Sequence, residues 1–155
     1  MYVNETRDQF TVSTDPARLD VDAIHAYLTR SYWAGNIPRD IVARALAGSL
    51  CFGVYDGAAQ IGFARVVTDR ATFAYFADVY VLEGYRGRGL SKWLMQVIMA
   101  HPDLQGLRRF SLVTLDAHGL YEQFGFRRLT TTERHMEIVR PDIYRARGQA
   151  ADERR

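Results

Sequence analysis

Cysteine, lysine and long apolar runs are what this chain has least of, and each scarcity excludes something. With one cysteine, Cys51, no disulfide can close within the chain, which fits a reducing compartment. No stretch approaches the ~20 consecutive apolar residues of a membrane-spanning helix. The first seven residues carry no apolar core of a secretion signal. A net charge of +2 over 155 residues leaves no global electrostatic case for nucleic acid, although all the basic residues except Lys92 are arginine. There is no internal repeat and no low-complexity segment. The expectation is a cytoplasmic protein with neither a membrane nor a nucleic-acid partner. What is present, 48% hydrophobic and 25% charged residues, suits one globular domain over 1–140 with a proper core, followed by a loosely held polar tail over 141–155.

The densest signal lies past mid-chain. An apolar, aromatic-rich segment over 72–81 reads as a strand. It runs into a tight basic loop with Gly84, Gly87 and Gly89. Apolar residues then recur at Leu90, Trp93, Leu94, Val97 and Ile98, the spacing of a helix with one buried face. Glycines let the backbone turn with positive φ and let another molecule come close. The first turn of a helix presents unpaired N–H groups and partial positive charge, and Arg86 and Arg88 add formal charge. The chemistry points to an anion pocket, best suited to a pyrophosphate. A P-loop would close in Gly-Lys-Ser/Thr, whereas this loop closes in Gly-Leu-Ser. A dinucleotide fingerprint needs Gly-x-Gly-x-x-Gly near the first strand. Both fail on spacing.

The segment Arg86-Gly87-Arg88-Gly89-Leu90-Ser91 resembles the Arg/Gln-x-x-Gly-x-Gly/Ala loop of the GNAT acetyltransferase superfamily. Val79-Tyr80-Val81 resembles the end of that family's central strand. Ala117-His118-Gly119-Leu120-Tyr121-Glu122-Gln123-Phe124-Gly125-Phe126 resembles its Ala-x-x-Leu-Tyr-x-x-x-Gly-Phe segment. Two motifs in order, about 30 residues apart, are far more specific than either alone. The resemblance spans 60–129; Ser91 departs from it, standing where the family has Gly or Ala. It implies an α/β fold with a mixed six- to seven-stranded sheet and about four flanking helices. It also implies two splayed parallel strands at an acyl-CoA site.

In chain order, 9–13 reads as a first strand, and Asp20 caps a helix whose buried face is Val21, Ile24, His25, Leu28 and Tyr32. His25 reads as a satisfied core or boundary histidine. An aromatic linker over 31–38 leads to a helix opened by Pro38 and ended by Gly48. Strands over 50–55, 60–67 and 72–81 form an antiparallel meander with Asp56-Gly57 at its first turn. The loop and its helix then cross to a strand over 107–113, parallel to the third. A short helix over 117–124 and a closing pair of strands, 126–130 and 134–139, complete the expectation.

The resemblance assigns the site residue by residue. The backbone of Val79 and Val81 would pair with the pantetheine arm of acetyl-CoA. The amides of Arg86, Gly87, Arg88, Gly89, Leu90 and Ser91 would hold its phosphates. Thr114 stands where many members have asparagine and, with His118, falls among the cofactor contacts; no metal is called for. Tyr121 would protonate the departing thiolate, a role a nearby O–H suits because a free thiol has a pKa near ~8.5; a packed core tyrosine is the bland reading. Asp78, a carboxylate in an apolar strand, is either the general base, directly or through water, or a structural acid. Glu83 reads as a solvated loop residue, and His118 as a further titratable candidate. Cys51 reads as inert, which favours direct attack in a ternary complex over an acyl-enzyme. Tyr32, Trp33, Asn36 and Tyr75 are the candidates for the acceptor wall. The acceptor is read as a small-molecule primary amine, with a protein amine next, and a non-catalytic acyl-CoA sensor is the competing class. Open sheet edges also make a homodimer an expectation.

Overall fold

The computed structural model describes residues 1–145; the rest of the expected tail, 146–155, lies outside the described residues. Six strands form one sheet: β1 (Asn4–Arg7), β2 (Phe10–Ser13), β3 (Leu50–Asp56), β4 (Ala59–Thr68), β5 (Phe73–Val81) and β6 (Arg109–Leu112). They lie side by side in chain order. Each neighbouring pair is antiparallel except β5 and β6, which are parallel because α3 (Leu90–Met99) crosses between them. Further α-helices are α1 (Val21–Leu28), α2 (Arg39–Ala47) and α4 (His118–Glu122). None is long and apolar enough to cross a membrane.

Local chemistry accounts for most boundaries. The Asp20 carboxylate accepts from the Ala23 amide at 3.0 Å and starts α1. Pro38 precedes α2, and Gly57, at φ +59°, turns the β3–β4 hairpin. Helix α1 ends at Leu28, so Tyr32 is not on its buried face as expected but lies exposed beyond it. The sheet separates two cores. On one face, Leu90, Leu94, Met95 and Ile98 of α3 pack against strand residues such as Phe52, Ala64 and Phe76. On the other, Ile24, Leu28, Val42 and Leu46 of α1 and α2 cover Cys51, Phe63 and Tyr80.

Three expectations are corrected. β1 was not anticipated, because Asn-Glu-Thr-Arg shows no apolar alternation; it is an exposed edge strand held by β2. The closing strands over 126–130 and 134–139 do not form. Residues 127–140 are exposed, with a single 3₁₀ turn at Thr132–Arg134, and an unsupported hairpin is marginal in water whatever its pattern. Third, β5 does not alternate regularly. Phe63 pairs with Tyr80 and Arg65 with Ala77, so Asp78 and Val79 together oppose Ala64 in a β-bulge. Asp78 takes φ +55°, a conformation aspartate tolerates better than most residues. The extra residue reverses the alternation. Strict alternation would put Phe76 and Tyr80 on one face with Asp78; instead they lie on opposite faces: Phe76 packs with Phe110 and Phe126, and Tyr80 stacks 3.8 Å from Tyr27.

Candidate active site

The β5–β6 ladder begins at Phe73–Arg109 and stops at Phe76–Leu112. From Ala77 to Val81, β5 continues with no ladder partner on that side among the described residues. Backbone polar groups left open there need a partner. A cavity of about 1150 Å³ occupies the gap and extends under α1 and α2. Of the expected site residues, Asp78, Val79, Val81, Arg86, Ser91 and Thr114 line it, as do Tyr121, Tyr32, Trp33 and Tyr75. Asn36 instead lines a smaller neighbouring cavity of about 470 Å³. Gly87, Arg88, Gly89 and His118 are not on the main cavity wall, and Leu90 is buried in the α3 core.

The glycine loop is built from backbone. Gly87 and Gly89 take φ +79° and +74°, and a Cβ on either would meet no protein atom within 4 Å. The space above them is open, so a ligand can approach main-chain atoms closely. No side chain caps α3, and its first internal bond runs from the Trp93 amide to the Gly89 carbonyl at 3.1 Å. The amides just before Trp93 therefore point outward with the positive end of the helix dipole. Arg86 is exposed, but its guanidinium is engaged. Its Nε donates to the Val81 carbonyl at 3.1 Å and Nη2 to the Tyr27 hydroxyl at 3.0 Å, which pins the loop to the end of β5. Arg88 lies over the Tyr85 ring.

Tyr121 sits on the short helix α4. Thr114 Oγ1 accepts from the Ala117 amide at 3.0 Å and sets the start of that helix. Gly125, at φ +93°, returns the chain so that Phe126 packs edge-on against the Tyr121 ring. The Tyr121 ring is buried, yet its hydroxyl makes no protein hydrogen bond among the described residues and faces the cavity. Burial pushes its pKa up to about 12, so the O–H is a neutral donor across the physiological range.

The far end of the cavity is a side-chain construction. Asp78 Oδ1 accepts from Trp33 Nε1 at 2.9 Å, and Oδ2 accepts from Arg65 Nε at 2.8 Å. Arg65 Nη1 donates to Ser49 Oγ at 3.3 Å. The Asp78 and Arg65 side chains keep only 11% and 20% of their exposure. Asp78 is thus held by side chains from two other elements. Sequence reasoning missed Arg65 as a cavity residue; its only signal is a charge within the apolar run of β4, and the bulge that turns Asp78 toward it is invisible to periodicity. Above this pair, Tyr32 and Trp33 meet edge to face, with centroids 5.0 Å apart.

The remaining candidates have satisfied surroundings. His25 Nε2 lies 2.9 Å from the Ile37 carbonyl. Exposed Glu83 forms a double hydrogen bond with Arg30, which holds its carboxyl down to about 2. Cys51 is buried, its thiol against the Leu46 carbonyl, and burial pushes it up to about 12. A thiol so protonated is a poor nucleophile.

A family model described as the acetyltransferase (GNAT) domain matches residues 47–128, just over half the chain. A candidate acetyltransferase of Gibberella zeae is 39% identical over 141 residues, covering 76% of this chain and 78% of its own. The crystal structure of a candidate GNAT-family acetyltransferase from Xanthomonas campestris shares 52% identity at a TM-score of 0.85, covering 87% of this chain and 96% of that one. A Clostridium acetobutylicum protein described as an acetyltransferase, solved with acetyl-CoA, shares the fold alone: 14% identity, TM-score 0.62, 90% and 96% coverage.

Proposed function

The chain belongs to the GNAT acetyltransferase family, and from that premise we propose that it transfers an acetyl group from acetyl-CoA to the primary amine of a small molecule, by direct attack within a ternary complex. The observation that carries this reading is the order of features along one cavity. The bare α3 N-terminus lies at one end, the unpaired edge of β5 in the middle with the Tyr121 hydroxyl on its wall, and the Asp78 carboxylate lies beyond.

The residues present fit acetyl-CoA. Open space over Gly87 and Gly89 and the outward amides at the start of α3 suit a diphosphate. The free edge of β5 at Val79 suits the amides of a pantetheine arm, taken up as a strand would be. Arg86 donates to the Val81 carbonyl and so holds loop and strand together, while its half-exposed guanidinium keeps its charge beside the loop. Acetyl-CoA supplies the thioester carbon that an amine can attack.

The chain's own groups handle the protons. An ammonium must become neutral before its nitrogen can bond to carbon. Asp78 is positioned to take that proton, directly or through water, since each oxygen accepts one hydrogen bond and retains a lone pair. As the nitrogen–carbon bond forms and the carbon–sulfur bond breaks, the nitrogen releases its second proton to solvent and the sulfur leaves as a thiolate. Tyr121 donates its hydroxyl proton there and regains one from solvent. Cys51 lies outside this route, which supports direct attack over a two-step transfer through the protein. The test is release of free CoA with a panel of small amines, comparing wild type with Tyr121→Phe. Turnover that collapses in the variant supports the reading. Tight CoA binding with no turnover on any acceptor would make the protein a sensor instead.

A further inference from the structure

Arg65 has no role in the proton route, yet it stands in the cavity wall beside Asp78. A guanidinium has five N–H donors. Two are used here, Nε on Asp78 and Nη1 on Ser49, while Nη2 has no protein acceptor among the described residues and is not sealed from the cavity. Ser49 itself donates to the Ala45 carbonyl at 2.8 Å, so the fork is fixed from behind. A largely buried ion pair is costly relative to apolar residues of the same size, which makes it poor material for stability alone. Its surroundings are apolar: Ile37, Ile41, Val42, Ala45 and Leu46 line the cavity next to it. The wall therefore carries a carboxylate with spare lone pairs, a guanidinium nitrogen with free hydrogens, and an apolar recess.

Resting on the acetyltransferase reading, we infer that the acceptor is an α-amino acid, or a close analogue, with an apolar side chain: its ammonium meets Asp78, its carboxylate meets Arg65 Nη2, and its side chain enters the recess under α1 and α2. A paired donor and acceptor fixed in a low-dielectric wall recognise a zwitterion and leave the wall unmatched by a plain amine. The transfer is balanced: the ammonium gives one proton by way of Asp78 to solvent, the neutral amine loses a second as its nitrogen–carbon bond forms, and CoA leaves with a proton on sulfur.

The test measures CoA release by the full chain with leucine, methionine and phenylalanine, with their amides, and with the corresponding decarboxylated amines. The free acids are expected to exceed both other sets in kcat/KM by about tenfold to a hundredfold, the worth of one charge-assisted hydrogen bond. In Arg65→Gln that preference should shrink through a higher KM, with kcat little changed. If that variant fails to fold because Asp78 is orphaned, Arg65→Gln combined with Asp78→Asn removes both charges, and the acid-over-amide preference should still vanish. Amides or plain amines performing as well as the acids overturn the acceptor class while leaving acetyl transfer standing. An equal loss on all acceptors in Arg65→Gln overturns the role of Arg65. No CoA release with any amine overturns the transferase reading itself, and this inference with it.

Discussion

The two ends of the cavity are made of different material. At the donor end, the contacts expected for phosphate come from main-chain amides between Arg86 and the start of α3, arranged by two glycines with positive φ. At the acceptor end, the polar groups are side chains: Trp33 from the linker, Arg65 from β4 and Asp78 from the bulge in β5. Backbone recognition is indifferent to most substitutions but intolerant of a Cβ where the chain must turn left. Side-chain recognition tolerates backbone adjustment but depends on each named group. A family can therefore keep one donor while exchanging acceptors, because the two tasks rest on separable parts of the chain.

The harshest way to break the donor end is Gly89→Val. The Cβ meets no protein atom, so the penalty falls on φ +74° and on ligand approach. Losing two charge-assisted hydrogen bonds, at ~1.5 kcal/mol each, lowers CoA affinity about a hundredfold. Calorimetry reads this directly, beside a circular-dichroism melt that shows the fold retained; unchanged affinity would remove the loop from the site.

Tyr121→Phe tests the junction between the ends. It should lower kcat by about a hundredfold, as loss of a general acid does, while KM for the acceptor stays close to wild type. Equal activity returns Tyr121 to the core.

Asp78→Asn tests the acceptor end. Its effect should be smaller, about tenfold at neutral pH, because water can take part of the proton's path. The deficit should narrow as pH approaches the pKa of the amine itself, where the free base no longer needs help. A pH–rate profile parallel to wild type would clear Asp78 of proton transfer.

Two null effects complete the series. Because burial raises the Tyr121 pKa to about 12, the hydroxyl stays protonated until pH rises through that value, and no alkaline loss of rate below pH ~10 should trace to it. An alkaline limb centred near pH ~10 that disappears in Tyr121→Phe would contradict this assignment. Iodoacetamide at mild alkaline pH should leave activity intact, because Cys51 is buried and its thiol is likewise held protonated. Rapid inactivation with labelled Cys51 would show that the acceptor end opens.

The same contrast explains what could be read from residues alone. The glycine-loop end was legible as structure because its determinants are contiguous: strand, glycines and helix fall within 72–100, and each has a local signature. The β3–β5 meander and the crossover to β6 were legible for the same reason. The acceptor end was half legible. Trp33, Tyr75 and Asp78 could be named, but the partner that defines Asp78, Arg65, could not, since it depends on a bulge two strands must make together. The closing strands over 126–139 show the opposite failure. Met136 and Ile138 carry a strand's alternation, yet no neighbour among the described residues takes up their backbone, and both stay exposed. Pattern describes what a segment can do; pairing requires a second party.

The bulge at Asp78 and Val79 lets β5 carry one residue more than β4 needs, and that surplus residue serves the cavity rather than either core. Deleting either residue would let the ladder with β4 zip straight through, at little cost to the sheet. Tyr80 would still oppose Phe63 and Ala77 would still oppose Arg65, so both cores would survive, but the one residue left opposite Ala64 would point to the α3 side. Such a shortened polypeptide could fold and melt normally, yet have its acidic group lost from beside the arginine.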